Sequence, residues 1–101
     1  MKMEGKVAIV TGSSKGIGKG IARIFSQEGA KITVVSRHAG EGLAVAKELG
    51  SDKGKAIYVQ TDVTDSKSIQ NMIKETIEAF GRLDVLVNNA GYHLSKSVED
   101  T

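Results

Sequence analysis

The sequence predicts an α/β fold, a doubly wound parallel sheet truncated after its fourth strand, in the order β-α-β-α-β-α-β. Three observations predict it. Four short apolar runs rich in β-branched residues lack polar alternation, as strands buried on both faces of a parallel sheet do. Between successive runs, apolar residues recur at helical spacing. The connections are short, which suits right-handed helical crossovers, and the absence of proline fits a chain with few rigid turns.

The elements follow in order. Lys6 to Thr11 reads as β1. After a glycine-rich turn, Ile17, Ile21, Ile24 and Phe25 recur at helical spacing and Gly29 supplies a stop, giving α1. Lys31 to Ser36 repeats the strand signature as β2. Leu43, Ala46 and Leu49 ahead of Gly50 predict a shorter α2 from about Glu41, and Ala56 to Gln60 is β3. The α3 pattern is the best formed: Thr64 or Asp65 can cap it, Ile69, Met72, Ile73, Ile77 and Phe80 make one stripe, and Gly81 ends it. Leu83 to Asn88 is β4, followed by the polar residues 92–101 where another crossover helix is expected. A strand this apolar normally sits inside a sheet, so the 101 residues read as a single half-domain and as a fragment of a longer one-domain protein.

Composition narrows the function. With 40% hydrophobic and 26% charged residues the chain can bury a core, about 60–65% of its unfolded surface at this size. The lack of cysteine removes thiolate metal sites and cysteine nucleophiles and suits a reducing, cytoplasmic address, and two histidines make a catalytic zinc site a poor reading. A formal charge of +2, scattered along the chain, does not mark a nucleic-acid binder. Neither a membrane-length apolar run nor a signal-peptide core is present.

The chemistry-bearing segment is the turn Thr11-Gly12-Ser13-Ser14-Lys15-Gly16-Ile17-Gly18 between β1 and α1. Glycines there let the backbone turn sharply and come close to a ligand, while the free N–H groups of α1 and its dipole favour a pyrophosphate. A Walker A loop is excluded, because Ile17 stands where its second glycine belongs. The bland alternative is a glycine turn shaped only by helix–strand packing.

Three motifs together, Thr11-Gly12-x-x-x-Gly16-Ile17-Gly18 after β1, Asp62-Val63 after β3 and Asn88-Asn89-Ala90-Gly91 after β4, resemble the short-chain dehydrogenase/reductase family. Their order and spacing cover nearly the whole chain, from about Lys6 to Gly91. The resemblance implies a Rossmann-type fold and a nicotinamide dinucleotide site lined by Gly12, Ser14, Lys15, Gly16, Ile17 and Gly18. It implies that Asp62, with Val63, meets the adenine end, and that Asn88, Ala90 and Gly91 line the ribose near the nicotinamide, Asn88 also steadying β4. Placement agrees, since all three motifs fall at carboxyl ends of strands, where open α/β sheets bind ligands. Asp62 could instead be a capping or solvated loop carboxylate, and Asn88-Asn89 a turn satisfying backbone groups.

A site that selects an unphosphorylated ribose usually offers an acidic side chain about 20 residues beyond the glycine turn. Here Ser36-Arg37-His38 stands at the end of β2, where Arg37 could clamp a 2′-phosphate and Ser36 add a hydroxyl. Lys15 could supply a second positive charge, and basic residues at these two places are typical of NADP-preferring members of the resembling family. The expectation is NADP rather than NAD, with solvated surface charges as the alternative and His38 a bystander.

The family's catalytic serine, tyrosine and lysine are expected downstream of residue 101, so no catalytic residue is assigned. Tyr92 and Lys96 have the Tyr-x-x-x-Lys spacing but lie directly after the β4 motif, in the wrong element order; Tyr92 and His93 read instead as bordering the nicotinamide or substrate pocket. The expected parent is an NADP-dependent oxidoreductase acting on a small carbonyl or alcohol substrate, similar to 3-oxoacyl-carrier-protein reductases and glucose dehydrogenases, and the resemblance implies a homo-oligomer. The competing reading is a short non-catalytic NADP(H)-binding module whose open β4 edge is covered by a partner. A phospho-acceptor receiver domain is disfavoured, because no acidic pair follows β1.

Overall fold

Four parallel strands form one sheet in the computed structural model, which describes residues 2–89. They are β1 (Val7–Thr11), β2 (Lys31–Ser36), β3 (Ala56–Gln60) and β4 (Val85–Val87), in the spatial order β3-β2-β1-β4. The crossovers are α1 (Gly16–Gln27), α2 (Ala39–Glu48) and α3 (Ser66–Phe80). The chain steps outward from β1 to β3 and then returns to the other side of β1, so strand order reverses between β1 and its neighbour β4.

Both faces of the sheet are covered, which explains the continuous apolar strands. Ala8, Val10, Ile32 and Val34 pack with Ala22 of α1 and Val45 and Ala46 of α2. Their alternating neighbours Ile9, Val35 and Val59 face Met72 of α3. The buried line of α1 is Gly18 and Ala22, flanked by Ile21 and Phe25, whereas Ile17 and Ile24 stay 76% and 58% exposed. Small residues on the sheet-facing side turn those two isoleucines outward.

Several details differ from the sequence reading, among them the start of β1 at Val7 rather than Lys6. The first helical residue of α2 is Ala39, two before the expected Glu41, despite Gly40 and Gly42; a Cβ at Gly42 would overlap the Tyr58 ring, so this glycine lets helix and β3 close together. A single 3-10 turn at Ser51–Lys53, between two left-handed glycines, joins α2 to β3. The β4 ladder is shorter than 83–88, because Asp84 and Asn88 reach β1 and its end partly through side chains. Asp65, rather than Thr64, caps α3 by accepting from the Lys67 amide at 3.1 Å.

Candidate functional site

The glycine turn sits at the carboxyl end of β1, beside the point where strand order reverses. Gly12 and Gly16 have φ of +64° and +65°, a region L side chains rarely adopt. Gly18 is needed for space: a Cβ there would run into the Gly12 carbonyl and the Asn89 side-chain amide. Buried Ser13 anchors the turn by donating to the Val10 carbonyl at 2.5 Å, accepting from the Val35 amide at 2.9 Å and donating its own amide to the Val35 carbonyl at 3.0 Å.

This anchoring leaves the first turn of α1 open. Its N-cap position is Lys15, which is extended and has no acceptor with which to cap, and no acidic residue stands in the first turn. The leading N–H groups and the helix dipole therefore face outward beside a lysine, an arrangement that attracts an anion. Gly16 meets no atom within 4 Å of where its Cβ would be, so the approach is clear.

Thr11 joins this turn to β4. Its hydroxyl accepts from the Asn89 amide at 2.8 Å and lies 3.3 Å from both the Val87 carbonyl and Asn88 Oδ1. Asn88 is thus tied to the end of β1.

A concavity lies at the carboxyl ends of β2 and β3. It measures about 410 Å³ and is lined by Arg37, Gln60, Thr61, Asp62 and Ser68. Asp62 Oδ1 accepts from the Thr64 hydroxyl at 2.6 Å and the Thr64 amide at 2.9 Å, while the Asp62 amide donates to Ser68 Oγ at 2.9 Å. The Thr64 hydroxyl, then its amide, with the Arg37 charge as a smaller influence, hold this carboxyl below the usual carboxylate range. Asp62 is therefore an ionised, acceptor-only group on the rim of the groove, and Oδ2 has no hydrogen bond among the described residues. Half-buried Val63 follows it.

The fold brings Gly12, half-buried Ser14, Lys15, Gly16, Ile17, Gly18, Ser36, Arg37, Asp62, Val63 and Asn88 to the end of the sheet where the strands' carboxyl termini lie. Ala90, Gly91 and the Tyr92, His93 and Lys96 segment lie outside the described residues. Ser36 departs from a simple ligand role, because its hydroxyl donates to the His38 carbonyl at 2.9 Å and sits 2.9 Å from Tyr58 Oη. Sequence reasoning missed the anchors Ser13 and Thr11; their signal was two hydroxyl residues flanking the first glycine of the turn.

The profile of the short chain dehydrogenase family matches residues 6–101. The NADP-dependent (R)-specific alcohol dehydrogenase of Lentilactobacillus kefiri is 46% identical over 100 residues, covering 99% of this chain and 39% of that protein. The 15-hydroxyprostaglandin dehydrogenase [NAD(+)] of Mus musculus is 40% identical over 103 residues, covering 100% of this chain and 38% of that protein. Among solved structures, a hydroxysteroid dehydrogenase from Escherichia coli superposes with a TM-score of 0.84 at 35% identity, over 90% of this chain and 39% of that one. The chain thus spans about two fifths of the length of these relatives.

Proposed function

Because the chain belongs to the short-chain dehydrogenase family, we propose that it is the cofactor-binding portion of an NADP-dependent oxidoreductase that moves a hydride between NADP(H) and a carbonyl or alcohol substrate. The single observation that carries the cofactor reading is the uncapped start of α1 at the point of strand reversal, with Lys15 at its mouth. The pyrophosphate would lie against the turn of Gly12, Ser14, Gly16, Ile17 and Gly18. Asp62, kept ionised by Thr64, would accept from the adenine amino group beside Val63. Asn88, with Ala90 and Gly91 beyond it, would line the ribose near the nicotinamide. When bound, the nicotinamide supplies the hydride donor or acceptor. This chain's part is to bind and orient; the serine, tyrosine and lysine that act on the substrate oxygen belong downstream of residue 101.

The choice of NADP rests on Arg37. It lines the groove at the end of β2, where an NAD site usually places a carboxylate, and its guanidinium offers a fork of donors to a 2′-phosphate. Related enzymes include NADP- and NAD(+)-dependent members by name, so the residue at this place, rather than the family, supports the choice. Arg37→Ala should weaken NADPH by on the order of 1.5–3 kcal/mol and NADH much less. Fluorescence titration with both cofactors checks this, and an equal loss for the two would remove the 2′-phosphate assignment.

A further inference from the structure

Three consecutive carbonyls at the end of β2 each accept a side-chain hydrogen bond. The Ser36 carbonyl takes the Tyr58 hydroxyl at 2.9 Å, in addition to the Thr61 amide at 3.0 Å. The Arg37 carbonyl takes Gln60 Nε2 at 2.8 Å, and the His38 carbonyl takes the Ser36 hydroxyl at 2.9 Å. The carbonyls of Arg37 and His38 lie past the end of β2, where water could satisfy them, so side-chain donors there restrain the segment. We propose that Gln60 and Tyr58 are positioning residues, which hold the Arg37 backbone so that its guanidinium faces the groove and thereby set the preference for a 2′-phosphorylated dinucleotide.

The geometry supports a built device. Gln60 is the last residue of β3 and stands in register with Ser36, so its amide reaches the next carbonyl, that of Arg37, across the strand pair. Tyr58 lies two residues earlier, on the same face of β3. Its ring is lodged against Gly42 of α2, where a Cβ would overlap it, and that packing aims the hydroxyl at Ser36. Fixing the direction in which a long side chain leaves the backbone lowers the ordering cost it pays on binding. Ser36 contributes to the same holding: its proton is committed to His38, so Arg37 carries the phosphate recognition and Ser36 shapes the loop.

This inference rests on the Arg37 assignment, and its test separates the two. Gln60→Met removes the donor at nearly constant size on an exposed side chain, and Tyr58→Phe removes the hydroxyl while keeping the ring against Gly42. Dissociation constants for NADPH and NADH would be measured on the protein at the length its own cell makes. The expected result is a rise of about three- to tenfold in the NADPH constant for either variant, less than twofold for NADH, and no further selective loss when Gln60→Met is added to Arg37→Ala. A merely structural role would weaken both cofactors together, and a direct contact between the ligand and Gln60, which also lines the groove, would add to the loss in the double variant; either outcome overturns the proposal. An unchanged NADPH/NADH ratio in Gln60→Met, with Arg37→Ala still selective, overturns the positioning role alone. A non-selective Arg37→Ala overturns both readings. Should Tyr58→Phe fail to fold, Gln60→Met decides.

Discussion

Asp84 replaces a piece of the sheet ladder with a side chain. Its carboxylate accepts from the Val7 amide at 2.9 Å while its own amide donates to the Val7 carbonyl at 2.9 Å, closing a ring at the amino-terminal edge of β1. Arg82 completes it with two bonds to the same carboxylate, at 2.8 and 2.7 Å. The paired Arg82 bonds first, and the Val7 amide second, lower the Asp84 pKa. A carboxyl whose folded pKa is depressed contributes stability that is fully present above its unfolded value, about 3.9, and is lost as pH falls through the folded value. Melting midpoints followed from pH 6 to pH 2.5 should therefore fall more steeply in the native protein than in Asp84→Asn, which keeps an acceptor but cannot titrate. Parallel curves would show that Asp84 does not couple protonation to folding.

At the scale of elements, α3 is fixed to the sheet by a polar contact as well as by its apolar stripe. Thr76 and Thr33 are fully buried and their hydroxyls lie 2.8 Å apart, Thr76 also bonding back to the Met72 carbonyl at 2.9 Å. Thr76→Val leaves the Thr33 hydroxyl unpaired inside the protein and should cost about 1–3 kcal/mol, whereas adding Thr33→Val should recover part of that loss. Urea denaturation of the two single variants and the double variant measures the coupling, and strict additivity would refute a direct bond. The pair also shows where sequence reading stops. The strands were legible because parallel strands covered on both faces must be continuously apolar, and β2 and β3 match their expected ranges. The helix stripes were less legible: Ile17, Ile24 and Ile77 follow the helical period yet stay largely exposed, while Thr76 is buried. Periodicity reports a possible face, but small residues and long-range hydroxyl pairs decide which face meets the sheet. The same holds at the site, where Arg37 and Asp62 could be placed from the strand ends that carry them. Ser13, Tyr58 and Gln60 act through partners 22–23 residues away, and local spacing carries no sign of such pairs.

Across the whole molecule, stability and site are graded from the centre of the sheet outward. In the described residues β1 and β2 are each paired on both sides, and their side chains are almost all buried. Among the described residues the three of β4 have only β1 as a ladder partner, and Leu86 keeps half of its exposure. Local opening needs little free energy where few apolar contacts must break and approaches the global value where many must. Amide exchange in the 101-residue chain should accordingly be slowest in β1 and β2 and fastest, among the strands, in β4. The turn at residues 12–18 bears on both gradients, since Thr11 and Ser13 fasten it to the ends of β4 and β2. A bound dinucleotide that uses the open start of α1 should therefore slow exchange at residues 16–18 and, through Thr11, at Asn89, while the 3-10 turn at Ser51–Lys53 stays unchanged. Mass-spectrometric exchange with and without NADPH reads both patterns. Uniform slowing would indicate general stabilisation, and slowing confined to the Arg37–Asp62 groove would place the ligand away from the glycine turn and withdraw the pyrophosphate assignment.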